Sequence, residues 1–214
     1  SSEHLLNPGS YFAGDAPVGV DEPEIGTGGE PIGEPSPLGA TTLFVMLTER
    51  IDPLVALAAA DGWGGDMSVA YDDGDRTCVR VDLVGDTKTD REEIAAALRA
   101  WVDAGPAGAA SVTTSGELVA FESCAVEVDG DVASPASPVV GSSFDALTLP
   151  AVRSQLMVMA ASELGLDHDR AFALGDCFVR QSPLETLIEG NAGPESAPEF
   201  AAVSDDAVAA CMPA

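Results

Sequence analysis

Short apolar stretches with helical spacing precede the middle of the chain. Four apolar side chains from residue 41 onward share one stripe of a helix: Leu43, Phe44, Leu47 and Ile51. Asp52-Pro53 then predicts the end of this helix and the start of a second, with aspartate as N-cap and proline at the first helical position. We expect this second helix, residues 54–60, to end at Gly62 in the left-handed conformation.

Beyond residue 66, apolar and polar residues alternate, which is the spacing of half-buried strands. Residues 67–83 alternate on either side of an Asp-Gly turn, and residues 110–124 do so around Ser115-Gly116, so we expect two β-hairpins. Between them, Asp90 followed by Glu93 has the spacing of a capping box at a helix start. An apolar helix face follows: Ile94, Leu98, Trp101 and Val102. This ββαββ order, led by two short helices, predicts an α+β domain in which an antiparallel sheet packs against a helix.

The two ends of the chain have different patterns. The first 40 residues are rich in proline, glycine and glutamate, and predict an extended arm that crosses a surface. Helical spacing returns near the carboxyl end, with helices starting at Pro150 and after Asp167 and a last helix over 198–211. We therefore expect four segments: an arm at 1–40, the α+β domain at 41–128, a linker at 129–145 and a small helical module at 146–214.

Four cysteines are present, and no two of them have the close spacing typical of zinc ligands. Two disulfides are the better interpretation, and they place the chain outside the cytoplasm, secreted or in the cell envelope. Cys78 and Cys124 share the strand phase that faces away from the helix, so they are a possible pair. Cys177 and Cys211 would then clip the helical module together.

The formal net charge is −27, and Lys88 is the only lysine. So negative a molecule repels nucleic acid and anionic membranes, and we expect neither as a partner. The charge suits solubility, a basic partner or cations. No apolar run is long enough to predict a membrane helix. The sequence starts at Ser1 without an initiator methionine or a signal peptide, which predicts that it was cut from something longer.

Patterns that carry chemistry are scarce. His4 and His168 belong to no His-Glu-x-x-His pair, and no Gly-x-Ser-x-Gly elbow is present. The glycines of residues 26–29 follow no predicted strand, which argues against a phosphate loop. The carboxylates of residues 72–75 could hold calcium, but a hairpin turn explains them better. We therefore expect no catalytic residue, no metal ligand and no cofactor in this chain, and the sequence gives no firm answer on enzyme activity.

A tryptophan surrounded by turn residues separates the helices from the sheet: Gly62, Trp63, Gly64, Gly65 and Asp66. As a ligand site, the glycines would flank an exposed indole. As a structural corner, the glycines let the backbone turn, Trp63 fills the core and Asp66 caps free amides. The structural interpretation is favoured because a helix must give way to a strand at this point.

Two stretches resemble the carboxyl-terminal part of extracytoplasmic zinc-metallopeptidase-like proteins of actinobacteria, chloroflexi and haloarchaea. Residues 60–66 are similar to that family's Ala-x-Gly-Trp-Gly-Gly-Asp. The amino-terminal stretch is similar to Pro-x-Ser-Thr-Glu-Gln-x-Leu-His-Pro-x-x-Tyr, with His4 at the glutamine and Asn7 at the histidine. Five residues of this arm motif match: Ser2, Glu3, Leu6, Pro8 and Tyr11. The resemblance covers roughly residues 1–124, and it places the family's His-Glu-x-x-His helix upstream of this chain.

The resemblance implies a non-catalytic accessory or binding region of a secreted peptidase-like protein. Its arm would pack against a catalytic half that this chain lacks, so the partner would be that half or another protein chain. One alternative is an independent acidic module outside the cytoplasm that binds a basic partner or cations. A second is a zinc metallopeptidase whose catalytic half is missing from this chain. The ligand and the oligomeric state do not follow from the residues.

Overall fold

A computed structural model describes residues 2–74, 76–125, 144–191 and 210–211. The chain forms two compact units, which we call the sheet unit (residues 1–3 and 16–139) and the helical unit (residues 4–15 and 140–214). None of the helices within the described ranges has the length and apolar character needed to span a membrane.

The helices and strands follow the predicted α+β order, with additions near the amino terminus. The first helices and strands are α1 (Glu3–Leu6), α2 (Pro8–Ala13), β1 (Glu30–Pro31), α3 (Ala40–Thr48), α4 (Pro53–Asp61), β2 (Trp63–Asp73) and β3 (Arg76–Gly85). The remaining ones are α5 (Lys88–Asp103), β4 (Ala110–Ser115), β5 (Leu118–Cys124), a 3₁₀ turn (Asp145–Leu147), α6 (Thr148–Glu163), α7 (His168–Gln181) and α8 (Leu184–Asn191).

The sheet is antiparallel throughout, in the order β1-β2-β3-β5-β4. Helix α5 covers one face, where the ring of Trp101 meets the edge of Phe121 at a centroid distance of 5.5 Å. Val81 pairs with Phe121 and is fully buried on the same face. The Trp101 indole donates to the carbonyl of Met46 at 2.8 Å, which ties α3 to α5. The predicted sheet, helix and α+β class are therefore confirmed.

The second face of the sheet is also buried, which the sequence did not predict. Val69 and Tyr71 pair with Arg80 and Cys78, so both point away from α5, yet they are only 2% and 4% exposed. The arm supplies the cover, because β1 pairs with β2 and a side chain at Gly29 would collide with the Tyr71 ring. The arm thus covers the β2 part of the sheet face opposite α5.

The arm is extended only in part. Residues 15–26 have no helix or strand, as predicted, but α1, α2 and β1 all lie within the first 40 residues. Helix α2 forms because Asn7 caps it by accepting from the amide of Ser10 at 3.2 Å and Pro8 occupies the first turn. Gly14 then ends it with φ of 75°. Because α2 has only six residues and contains proline and glycine, its sequence shows no helical pattern.

Two predicted helix boundaries need correction. Asp52 and Pro53 cap α4 as expected, but Gly62 has φ of −97° and is not a left-handed cap. The N-cap of α5 is Thr87, not Asp90, because Thr87 and Asp90 form a reciprocal capping box. The Thr87 side chain accepts from the Asp90 amide, and the Asp90 carboxylate accepts from the Thr87 amide at 2.9 Å.

The helical unit packs α6 against α7 around a buried arginine. The Arg153 guanidinium is fully buried, donates to Asp176 at 3.1 Å and to the carbonyl of Leu6, and lies over the Phe172 ring. Arg153 lies on the buried side of α6 with Val152 and Leu156, whereas Met159 of the same helix is 44% exposed. The predicted last helix, 198–211, lies outside the described residues except at 210–211.

Both disulfide pairings are confirmed. Cys78 and Cys124 are direct cross-strand partners of β3 and β5, on the face away from α5. Cys177 of α7 bonds to Cys211 within the helical unit. Two disulfides fit a protein that works outside the cytoplasm.

Removing the Cys78–Cys124 bond should destabilise the sheet unit. It closes a loop with a sequence separation of 46 residues, and on the chain-entropy model such a loop is worth about 4 kcal/mol. Trp63 and Trp101 are the only tryptophans and both lie in the sheet unit, so their fluorescence reports its unfolding in urea. The Cys78→Ala/Cys124→Ala variant should unfold at clearly lower urea, and an unchanged transition would contradict this expectation.

Candidate functional site

The tryptophan corner is built around the carboxylate of Asp66. This side chain is 4% exposed and accepts three hydrogen bonds, from the amides of Leu38 (2.5 Å) and Gly39 (2.8 Å) and from the Trp63 indole (2.7 Å). Gly39 precedes α3, so the carboxylate serves amides at the start of that helix. Trp63 itself is 5% exposed and offers no open indole face for a ligand.

Close contacts account for two of the corner glycines. Gly65 has φ of 152°, and a Cβ there would lie 2.3 Å from the carbonyl oxygen of Val18. The arm crosses the corner at this point, where the Val18 amide donates to the Gly64 carbonyl at 2.7 Å. A Cβ at Gly62 would lie 2.4 Å from the Asp90 side chain. These glycines therefore allow the arm and α5 to approach the corner.

The arm motif is divided between the two units. In the sheet unit, the carbonyl of Ser2 accepts from the Thr41 hydroxyl at 2.9 Å, and Glu3 is buried. In the helical unit, Leu6 is buried and Pro8 opens α2, whereas Tyr11 is 63% exposed. The matching residues therefore belong to two different units.

Both histidines lie beside aromatic rings of the helical unit. His4 meets Tyr11 edge-on at a centroid distance of 5.4 Å, and His168 stacks on Phe12 at 3.8 Å. Among the described residues, no cluster of potential metal ligands includes either histidine.

The carboxylates of the first hairpin turn and the glycines of residues 26–29 make structural contacts. Asp73 pairs with Arg76 at 2.9 Å, and Asp72 accepts from the Thr77 hydroxyl at 3.1 Å, so these carboxylates close the hairpin. Asp75 lies outside the described residues. The glycines of residues 26–29 form a turn that the Gly29 amide closes on the Gly26 carbonyl at 3.0 Å.

A cleft of about 450 Å³ lies between the arm and the sheet face opposite α5. Its walls carry five charged side chains: Asp21, Glu22, Glu24, Arg80 and Asp82. We call this the acidic cleft, because four of the five are carboxylates. Arg80 pairs with Asp82 at 3.3 Å and with Glu122 at 3.5 Å, so two carboxylates already compensate its positive charge.

Sequence reasoning missed the acidic cleft. The alternation along β3 did place Arg80 and Asp82 on the face away from α5. Nothing in the arm, however, indicated that its Asp-Glu-Pro-Glu run would lie over those two residues. Long-range contacts bring the two segments together: the Val18 amide bonds to the Gly64 carbonyl, and β1 pairs with β2.

Tyr71 lies close to Glu122 and Arg80, which form an ion pair beside the acidic cleft. Burial raises the pKa of its phenol, and the hydrogen bond to Glu122 and the negative charges of Glu122 and Asp73 raise that pKa further, against the opposing effect of Arg80. The neutral phenol is therefore the stable form, and it is a hydrogen-bond donor to the carboxylate.

Residues 30–142, slightly more than half of the chain, match a protein family described as a domain of unknown function, DUF8575. The chain belongs to this family. The matched range includes the tryptophan corner and the strands β1 to β5, but it excludes the arm motif and the acidic run of residues 21–24. No curated protein and no solved structure matches the chain.

The phenol of Tyr71 should ionise above the ordinary tyrosine pKa of about 10. Because its folded-state pKa is raised, its contribution to stability is complete below pH ~10 and is lost as the pH rises through the folded-state value. Tyr11 is the only other tyrosine, so an absorbance titration of the Tyr11→Phe variant at the phenolate band reads Tyr71 alone. Ionisation at or below the ordinary pKa would contradict the buried hydrogen bond.

Proposed function

We propose that this member of the DUF8575 family is a non-catalytic binding region of an extracytoplasmic protein, and that its acidic cleft binds a basic segment of a partner protein. The observation that carries the proposal is the set of carboxylates that the arm holds over the sheet. A peptidase-like parent remains part of the proposal on the strength of the two resembling motifs alone.

The charges around the cleft favour a cationic ligand. Asp21, Glu22 and Glu24 are exposed, and none of the three makes an ion pair with any residue that the structure describes. The one arginine in the walls is already paired with Asp82 and Glu122. A lysine or arginine side chain that enters the cleft would therefore meet three carboxylates that form no ion pair with Arg80 or with any other described residue.

The acidic run is held on both sides, which lowers the cost of ordering it on binding. On one side, the Val18 amide bonds to Gly64. On the other, β1 pairs with β2, and the Ile32 amide donates to the Ala70 carbonyl at 2.7 Å. Pro23, in the middle of the run, is buried. The backbone that carries the carboxylates is thus held on both sides before a ligand arrives.

The arm bears on the choice between the functional hypotheses. An arm that packs against a missing catalytic half would present its apolar and backbone groups outward. Residues 30–39 of this arm instead bond to β2, through Ile32, through Ser36 and through the Asp66 carboxylate. This favours the independent acidic module over the arm-mediated accessory region, although both are binding regions outside the cytoplasm.

Binding of a basic peptide should depend on the three arm carboxylates. We expect a fluorescent oligolysine peptide to bind the full chain at low salt, and the Asp21→Asn/Glu22→Gln/Glu24→Gln variant to bind it about tenfold more weakly by fluorescence anisotropy. The matched control is Asp169→Asn/Glu185→Gln/Glu189→Gln, which removes the same charge from exposed positions of the helical unit. Binding should weaken as salt rises, since exposed charges are screened.

Equal weakening by both triple variants would mean that the peptide responds only to net charge, and would contradict a site in the cleft. Stoichiometric zinc in the purified chain, together with cleavage of the peptide, would contradict a non-catalytic region. Zinc content can be measured by atomic absorption on the same sample.

A further inference from the structure

The two edges of the sheet are built differently. At one edge, β1 has two residues and includes Pro31, which cannot donate a ladder hydrogen bond, so this edge resists further pairing. At the other edge, β4 has six residues and contains no proline, no charged side chain and no bulge. Within the described ranges, no strand or backbone hydrogen bond occupies the outer side of β4. Among the described residues, β4 is therefore an edge strand with no pairing partner on its outer side.

The register shows which backbone groups of β4 point outward. Ser115 pairs with Leu118 across the two-residue turn, and the Cys124 amide donates to the Ala109 carbonyl at 2.8 Å. In an antiparallel pair, residues that bond to the partner alternate with residues that do not. The amides and carbonyls that point away from β5 therefore belong to three alternate residues: Ala110, Val112 and Thr114.

Two arginines lie next to this edge. A groove of about 280 Å³ runs between α5 and the end of β4, and Arg91, Arg99 and Thr114 are among its walls. Neither arginine forms an ion pair with a residue that the structure describes. The groove's one carboxylate, Glu92, is paired with Lys88 at 3.5 Å. In a chain with nine basic and 36 acidic residues, this is a notable local surplus of positive charge.

We propose that β4 accepts an added strand from a partner protein, and that this strand carries acidic side chains on the face toward α5. The outward backbone groups of β4 would supply the main-chain hydrogen bonds, and the arginines would select carboxylates. Residues opposite Ala110, Val112 and Thr114 share one face, so the partner needs acidic residues at alternate positions. This surface lies on the sheet face opposite the acidic cleft and takes a ligand of opposite charge.

A second copy of the chain fits this edge less well. Pairing β4 with β4 of another copy would bring Arg91 and Arg99 of both copies to the same seam, and each copy carries a formal charge of −27. Like charges at an interface oppose association. An acidic segment from a different protein avoids the repulsion between the arginines of two copies, and its carboxylates can pair with Arg91 and Arg99.

The test uses the full chain and a labelled peptide that alternates glutamate with valine over the length of β4. At about 0.15 M salt, where screening acts over about 8 Å, the peptide should bind, and its lysine-for-glutamate counterpart should not bind at this edge. Hydrogen exchange by NMR should show slower exchange of the Val112 and Thr114 amides when the peptide is present. Anisotropy gives the affinity.

Two sets of variants separate the backbone and charge contributions. Thr114→Pro removes an outward donor and leaves the β5 ladder intact, and it should weaken binding about tenfold, whereas Thr114→Ala should not. Arg91→Glu/Arg99→Glu should weaken binding by at least as much. Its single-site control, Arg170→Glu, reverses an exposed arginine of the helical unit and should leave binding unchanged. Melting temperatures establish that each variant is folded.

Three results would overturn the proposal. The first is an absence of binding, or binding that folded Thr114→Pro retains. The second is equal binding of the glutamate and lysine peptides at the β4 amides. The third is a dimer in sedimentation that the Arg91→Glu/Arg99→Glu variant retains and Thr114→Pro abolishes, which would assign the edge to a second copy. If Thr114→Pro does not fold, a peptide N-methylated at the pairing amides replaces it as the test. Undiminished binding of that peptide would also contradict the proposal.

Discussion

The buried carboxylate of Asp66 is the interaction on which the sheet unit depends. It lies within β2 and accepts hydrogen bonds from the amides of Leu38 and Gly39 and from the indole of Trp63. A charged group so deeply buried is tolerated only when donors surround it, and each donor left without it would cost about 1–3 kcal/mol. The carboxylate fixes the end of the arm and the start of α3 together, so the cover of the second sheet face depends on it.

Local patterns predict much of this fold. Alternation defines the hairpins and the face of Cys78, and apolar spacing with the Asp52-Pro53 pair defines α3 to α5. Apart from the two disulfides, the sequence does not reveal contacts between distant polar residues, because neither partner belongs to a periodic pattern. Asp66 meets Leu38 across 28 positions, and the buried Arg153 meets Asp176 across 23. For the same reason the acidic cleft could not be predicted, since its two walls are joined through long-range backbone contacts of the arm with β2.

The proposed roles divide the sheet unit by charge. One face holds carboxylates between the arm and β3, whereas the free edge of β4 lies beside arginines without ion-pair partners among the described residues. Family membership assigns no function to either surface, and the tryptophan corner, which identifies the resemblance, is occupied by structural contacts. The chemistry of binding is therefore to be sought beside the corner rather than in it.

Hydrogen exchange at the corner tests the central claim most directly. If Asp66 holds the arm, the amides of Leu38 and Gly39 and the indole of Trp63 should exchange only when the sheet unit unfolds. In the Asp66→Asn variant, all three should exchange faster, while the amide of Val81, between β2 and β5, stays protected. Fast exchange of the three hydrogens in the unmodified chain, or exchange unaffected by the substitution, would contradict the account.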